Sequence, residues 1–151
     1  MRAAFIAVFT VLTMSALCAC TAKTPIKPRA IRIENLPPLG PYAQAVEANG
    51  FVFLSGIVAF NADKKAFASA NIEAQMAQVF ANLNLVLTEL GADKRDIVKV
   101  TIYLKTPSDF PKLNPLYAAY FKDWQPARTS VPGVNWGRDD VLVELDVVIA
   151  R

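Results

Sequence analysis

Two charged residues in the C-terminal part of the chain could take part in chemistry. Arg128 lies in the segment WQPARTSVPG (124–133), where it follows Pro126 and opens a run that becomes apolar. A guanidinium beside buried apolar residues is costly unless an anion meets it, so Arg128 indicates either an anionic ligand or an ion pair with a protein carboxylate. Glu144 lies in the last apolar segment, VLVELDVVIA (141–150), and is a candidate acid or base.

The composition excludes several kinds of catalysis. The chain contains no histidine, which rules out Ser–His–Asp and Cys–His catalysis and histidine-ligated zinc or iron. Its two cysteines, Cys18 and Cys20, both lie in the apolar N-terminal segment. Proton transfer must therefore use Asp, Glu, Tyr, Lys or bound water, and we expect no metal site.

The N-terminal segment resembles the signal peptide of a bacterial lipoprotein. Arg2 precedes an apolar run over residues 3–17, which is shorter than the about 20 residues of a membrane-spanning helix. The run ends in LCAC (17–20), which predicts removal of residues 1–19 and lipidation of Cys20. An ordinary signal peptide and an uncleaved anchor are the alternatives.

The expected location is the periplasmic side of a bacterial membrane, reached through the lipid anchor only. Thr21, rather than Asp, follows the lipidated cysteine and favours the outer membrane. Residues 20–30 are rich in Pro and Lys and predict a tether to a domain over 31–151. Loss of Arg2 lowers the Lys and Arg count from 16 to 15 against 13 Asp and Glu, a charge too weak to indicate a nucleic acid partner.

The patterning of residues 31–151 predicts one α+β domain, with two helices on one face of a mixed sheet. A tight turn at Asn49-Gly50 joins the first two strands as a hairpin, because both residues tolerate positive φ angles. Strands are predicted at 42–48, 51–60, 97–105, 128–131 and 141–150.

Two helices are predicted between these strands. The clearer one spans 72–90, where apolar residues recur with a period of 3.6, with Asn71 as the N-cap and Gly91 as the C-terminal stop. The other spans 109–124, and we expect it to break and restart at the Asn-Pro pair 114–115.

The last strand has an unusual second face. Its even positions are Leu142, Glu144, Asp146 and Val148, which mix carboxylates with large aliphatic side chains. This face is too apolar for open water and too charged for a closed core. It suits a subunit interface that would place Glu144 in a partly desolvated cleft, and a solvated strand face is the alternative.

Six segments resemble, in order and spacing, motifs of the Rid family, also called YjgF-like, which contains deaminases of reactive enamines and imines. They are GPYAQA (40–45), LSG (54–56), IVKVTIYLK (97–105), DFPKLNPLYAAYF (109–121), PARTSV (126–131) and VELDVVIA (143–150). The resemblance covers residues 31–151. It implies a chorismate-mutase-like α+β fold that assembles as a homotrimer, with the sheets facing inward and ligand clefts between subunits.

The resemblance implies hydrolysis of 2-enamino or 2-imino acids to a 2-keto acid and ammonia, as in 2-iminobutanoate/2-iminopropanoate deaminases. Arg128 matches the family arginine that clamps the substrate carboxylate, which a planar guanidinium can bind through two parallel hydrogen bonds. Glu144 matches the glutamate that orients or deprotonates the attacking water, and without histidine or thiol it is the best remaining base. No cofactor is expected, because the imine is already activated.

Four more residues match substrate-binding positions of the family. Tyr42 and Ser55 match cleft residues, with a packing aromatic and a strand-end turn residue as alternatives. Asn114 matches the site asparagine, a role that is compatible with an N-cap. Ser130 stands where many members carry Cys, and its backbone N–H can still face the carboxylate. Ile57 stands where Gln often follows Ser-Gly, which predicts a more apolar cleft wall.

Two other functions are alternatives to the deaminase. One is a non-catalytic member of the same fold that binds small carboxylates or acts as a holdase, which would fit a compartment away from the mainly cytoplasmic sources of enamines. Such a binder needs Arg128 but not Glu144, so the presence of both favours the enzyme. The other is a ribonuclease, which the absence of a basic stripe and of any histidine disfavours.

Overall fold

The computed structural model describes residues 27–151. The predicted signal segment 1–19 and Cys20 lie outside the described residues. The strands are β1 (Arg29–Ile31), β2 (Ala45–Ala48), β3 (Phe51–Leu54), β4 (Ile57–Val58), β5 (Phe60–Asn61), β6 (Ala66–Phe67), β7 (Ile97–Leu104), β8 (Ala127–Pro132) and β9 (Val143–Ala150). The helices are α1 (Ile72–Leu90) and α2 (Phe110–Phe121), with short 3₁₀ turns at Lys94–Asp96 and Pro107–Asp109.

The main sheet is mixed, as the sequence predicts. Its strands lie in the order β1-β2-β3-β9-β7-β8, with β4 paired to β9 beyond the end of β3. All pairs are antiparallel except β7 with β8, which is parallel and joined through α2. Strands β5 and β6 form a separate two-stranded ribbon. Strand β8 is therefore one edge of the sheet, and β9 is central.

One face of the sheet is covered by both helices, and this face holds the core. In β9 the odd positions Val143, Leu145, Val147 and Ile149 are buried, and they pack with the buried stripe of α1 and with Leu113, Tyr117 and Phe121 of α2. We call this the core face. The even positions of β9 are half-buried and lie on the opposite side, the open face. Among residues 27–151, no helix combines the length and apolar character that a membrane span requires.

The predicted turn and helix caps are confirmed. Asn49 and Gly50 have φ angles of 50° and 81° in the turn between β2 and β3. The Asn71 side chain accepts a hydrogen bond from the Ala74 N–H at 2.8 Å, and Gly91 ends α1 in the left-handed conformation with φ 61°. These signals are local, because each depends on the residue itself and on its immediate neighbours.

The predicted break in the second helix is wrong. Helix α2 runs without interruption from Phe110 to Phe121, so Pro115 lies inside it and Asn114 is not its N-cap. Pro115 is the sixth residue of the helix, past the first turn, and its missing N–H removes one bond, to the carbonyl of Pro111. Pro111 is itself exposed, which leaves that carbonyl open to water.

Other element boundaries also differ from the prediction. Strand β1 begins at Arg29, inside the predicted tether 20–30, and pairs with β2. Its Arg29 forms an ion pair of 2.6 Å with Glu47. The segment predicted as one strand over 51–60 is three strands, because the chain leaves the ladder at Ser55-Gly56.

Candidate active site

Glu144 lies in the middle of the open face. It pairs across β9 with Val58 of β4 on one side and with Tyr103 of β7 on the other. The indole N–H of Trp136 donates to its Oε2 at 2.9 Å. Burial raises the pKa of the Glu144 carboxyl, the Trp136 hydrogen bond opposes this, and nearby Asp146 adds to the rise. A carboxyl with a raised pKa can exchange protons nearer to neutral pH.

The break at Ser55-Gly56 makes room for this carboxyl. A Cβ built on Gly56 would lie 2.1 Å from Oε1 of Glu144, so no other residue fits without displacing the carboxyl. The hydroxyl of Ser55 donates to the Ala43 carbonyl at 2.6 Å, which fixes its oxygen at the cleft wall as an acceptor. Because Gly56 has no side chain, the Glu144 carboxyl can occupy the space beside it.

Aromatic and apolar side chains surround the carboxyl in a cleft of about 440 Å³. We call it the Glu144 cleft, and its lining includes Leu39, Tyr42, Ser55, Val58, Phe67 and Trp136. Tyr42 is 50% exposed, and its ring lies so close to Gly40 that a Cβ there would be 2.6 Å from it. Tyr42 and Ser55 therefore lie in the same cleft as Glu144.

The predicted arginine lies in a second group of side chains, the Arg128 site. The Nη2 of Arg128 donates to the Asn114 side-chain oxygen at 2.9 Å, and its guanidinium lies 4.8 Å from the ring centre of Tyr117. Burial raises the pKa of Tyr117 to about 12, although Arg128 acts against this rise. Within residues 27–151, Arg128 has no carboxylate partner within 4 Å.

Ser130 lies two residues further along the same face of β8. Its hydroxyl oxygen is buried, and so is that of Tyr117, and neither has a hydrogen-bond partner among the described residues. Asn114, Arg128 and Ser130 are thus brought together on the side of the sheet that α2 covers.

The strand register separates the two groups. Arg128 pairs with Val100, which is fully buried on the core face, whereas Glu144 pairs with Tyr103 on the open face. One chain therefore brings Tyr42 and Ser55 to Glu144 but does not bring Arg128 to it.

Comparison with known proteins identifies the relatives of this domain. Residues 32–151 match the family described as Endoribonuclease L-PSP. The chain belongs to this family, also called the Rid or YjgF family. A RutC family protein of Pyrococcus horikoshii is 38% identical over 116 residues, which cover 76% of this chain and 91% of that protein.

Two further Rid relatives bear on fold and activity. The 2-iminobutanoate/2-iminopropanoate deaminase of Dermatophagoides farinae is 33% identical over 112 residues, covering 74% of this chain and 87% of that protein. The crystal structure of YyfA from Yersinia pestis, a Rid protein of unknown function, superposes with a TM-score of 0.76 and 34% identity, covering 83% of this chain and all of that one. The α+β fold predicted from the sequence is therefore confirmed.

One expectation about this Rid domain's cleft is wrong in its detail. Ile57 is 4% exposed and pairs with Leu145 on the core face, so it does not form the cleft wall. Side chains alternate between the two faces along a strand, so the side chain of its neighbour Val58 lies on the open face. Val58 therefore lines the cleft instead. The wall is apolar as predicted, but through a different residue.

Sequence reasoning missed Trp136, the only side chain that donates a hydrogen bond to Glu144 within the described part of this Rid chain. It lies in a loop between two glycines with positive φ angles, Gly133 at 84° and Gly137 at 70°. A tryptophan in a polar, glycine-flanked loop was the available signal. In residues 27–151, no group of three or more Asp, Glu, His or Cys residues is placed to hold a metal ion.

Proposed function

We propose that this protein is a hydrolytic deaminase of reactive 2-enamino and 2-imino acids, which releases a 2-keto acid and ammonia. The observation that carries the proposal is that one small domain presents both a guanidinium and a carboxyl group that could act on a substrate. Arg128 offers a guanidinium with no carboxylate partner within residues 27–151, and Glu144 offers a desolvated carboxyl. The name of the Dermatophagoides farinae relative supports the same substrate class.

The two groups would meet across a subunit boundary. Arg128 lies on the edge strand β8, where a neighbouring chain can approach it. The open face also exposes apolar side chains, with Phe51 42%, Phe53 48% and Val131 36% exposed. Exposed apolar surface of this kind favours burial against another chain. A homotrimer with Arg128 of one subunit facing the Glu144 cleft of the next would satisfy both features.

In such a site the substrate carboxylate would bind the guanidinium of Arg128. Asn114 already accepts one N–H of this group, which fixes the plane of the guanidinium and leaves its other N–H groups for a carboxylate. The backbone N–H of Ser130 would add a donor. Tyr42 and Ser55 would contact the rest of the substrate, because both line the cleft.

Glu144 would then serve as base and acid in turn. Its carboxylate takes a proton from water as the water oxygen bonds to the imine carbon, and it passes that proton to the imine nitrogen, which gives a carbinolamine. Glu144 then takes the proton of the new hydroxyl and gives it to the amine, so that the C–N bond breaks and ammonia leaves as the keto group forms. One water enters and one ammonia departs, so the reaction needs no cofactor.

The N-terminal segment would determine where in the cell the protein is located. The LCAC segment at 17–20 supports a lipid-anchored protein on the periplasmic side of a bacterial membrane, with Cys20 as the modified residue. An imine made in that compartment, for example by an amino-acid oxidase, would be the substrate.

The test is direct. Imino acids are generated in situ by an amino-acid oxidase, and semicarbazide traps any imine that the protein does not hydrolyse. We expect the full chain to lower semicarbazone formation and to release the keto acid, and Glu144→Gln to abolish this effect. Binding of keto acids with no turnover of any imine would contradict the deaminase and favour a non-catalytic carboxylate-binding protein.

A further inference from the structure

The wall of the Glu144 cleft is far more apolar than the chemistry at its centre requires. Hydrolysis of an imino acid needs a base and a carboxylate clamp, yet the side chains around Glu144 are mainly hydrocarbon and aromatic. These are Leu39, Tyr42, Val58, Phe67, Trp136 and Val141. A substrate with a side chain of one or two carbons would leave most of this wall in contact with water.

Among residues 27–151, the one cation in the cleft wall is Arg138, and a carboxylate already neutralises it. The guanidinium of Arg138 donates to both carboxylate oxygens of Asp140, at 2.5 and 2.7 Å. Its central carbon also lies 4.2 Å from the ring centre of Phe67, over the aromatic ring, in a cation–π contact. Arg138 therefore extends the aromatic wall and does not compete with Arg128 for a carboxylate.

Trp136 is held firmly at the mouth of the cleft. The loop is tied at Val134, whose N–H donates to the Leu104 carbonyl at 2.9 Å, and at Asn135, whose side chain accepts from the Gly137 N–H at 2.8 Å. The indole N–H then bonds to Glu144, which fixes the ring orientation. A tryptophan anchored by its N–H presents the rest of its ring to whatever fills the cleft.

We propose that this cleft selects 2-imino acids with a large apolar or aromatic side chain, and that Trp136 determines the preference. The inference rests on the proposed deaminase function. The indole has two separable roles, since its ring contacts the substrate side chain and its N–H positions Glu144. Burial of a leucine- or phenylalanine-sized side chain against this wall should raise kcat/KM roughly 10- to 100-fold over an alanine-derived imine.

Two substitutions separate these roles. Trp136→Ala removes the ring and the N–H, whereas Trp136→Phe removes the donor and keeps a smaller aromatic ring. Trp124→Phe is the matched control, because its indole donates to the Ile97 carbonyl outside the cleft. The full chain and each variant are assayed on imines made by an oxidase from alanine, leucine and phenylalanine.

We expect the wild type and Trp124→Phe to prefer the phenylalanine- and leucine-derived imines. Trp136→Ala should lose that preference about 10-fold or more, and Trp136→Phe should keep it while turning over all three imines more slowly. Activity without a preference for the larger imines would overturn the inference and leave the deaminase intact.

Binding provides the second measurement, which does not depend on turnover. The affinities of phenylpyruvate and pyruvate are measured by calorimetry for the same proteins. Tighter binding of phenylpyruvate that Trp136→Ala abolishes would support the apolar subsite even in a chain that hydrolyses no imine. Equal affinity for the two keto acids would overturn it.

Discussion

Arg128 and Glu144 lie on opposite faces of one sheet, with strand β7 between their strands. The arginine shares the core face with Val100, and the glutamate shares the open face with Tyr103. A small substrate cannot touch both side chains of a single chain through the sheet. The activity that we propose therefore depends on how neighbouring chains meet.

Mixed assemblies test this dependence. Neither Arg128→Ala nor Glu144→Gln should be active alone, because each lacks one half of every site. When the two are co-expressed, random trimers should recover roughly a quarter of the wild-type sites, since an intact Arg128 then faces an intact Glu144 by chance. The measurement is imine hydrolysis by the co-purified mixture. A mixture as inactive as its components would contradict the shared site.

Substrate binding by Arg128 should depend on the planar geometry of the guanidinium as well as on its charge. Arg128→Ala should lower kcat/KM by more than the roughly 10- to 150-fold expected for one lost charge-assisted hydrogen bond, because a small substrate has few other contacts. Arg128→Lys should recover only part of this, since lysine keeps the charge but cannot bind a carboxylate through two parallel bonds. Normal keto-acid binding by Arg128→Ala would show that the ligand of this arginine is elsewhere.

Gly56→Ala should damage catalysis without damaging carboxylate binding. The new Cβ would overlap Oε1 of Glu144 and displace it, and a shift of about 1 Å in a catalytic group can cost about 100-fold in rate. Gly91→Ala is the matched control, since its strained φ weakens the end of α1 while its Cβ meets nothing within 4 Å. Kinetics together with keto-acid calorimetry check this, and equal turnover in the two variants would refute it.

The pH profile should report the environment of Glu144. Burial raises its pKa and the Trp136 hydrogen bond lowers it, and the base is the ionised form. Activity should therefore rise with pH through a pKa above that of a free glutamate. Trp136→Phe removes the opposing hydrogen bond, so its acid limb should move to higher pH. A limb that stays in place or moves to lower pH would separate Glu144 from the titration.

Lipid anchoring is tested independently of activity. We expect a fatty-acid probe to label the full chain in a bacterial host, and Cys20→Ala to abolish the label and release the protein from membranes. Cys18→Ala serves as the control, because residue 18 lies within the segment that we expect cleavage to remove. Equal labelling of wild type and Cys20→Ala would exclude this anchor.

The features that sequence predicted well are those encoded by neighbouring residues. The caps of α1 and the Asn49-Gly50 turn need only local geometry, and the alternation of β9 identified Glu144 on a half-buried face. The break in α2 was wrong because a proline inside a helix removes a single backbone bond, and the burial of Leu113, Tyr117 and Phe121 against the sheet offsets that loss through contacts that are distant in sequence.

The arrangement of the site depended on information that no local pattern holds. That Ile57 faces the core and Val58 the cleft follows from the strand ending at Ser55-Gly56 and resuming in β4. The separation of Arg128 from Glu144 follows from the register of β8 and β9 against β7. Strand β7 is distant in sequence from both of these strands. Trp136 reaches Glu144 only because its loop folds back over the open face.

The contact between Gly56 and Glu144 also gives a rule for the natural variation of this family. Oε1, Cδ and Cγ of the glutamate all lie within 2.9 Å of a Cβ at position 56, so shortening the glutamate to aspartate would not make room for a side chain. A side chain at position 56 therefore requires the glutamate to adopt another conformation. A relative with any residue other than glycine at position 56 must place its acid differently, so this position indicates from sequence alone whether the placement seen here is available.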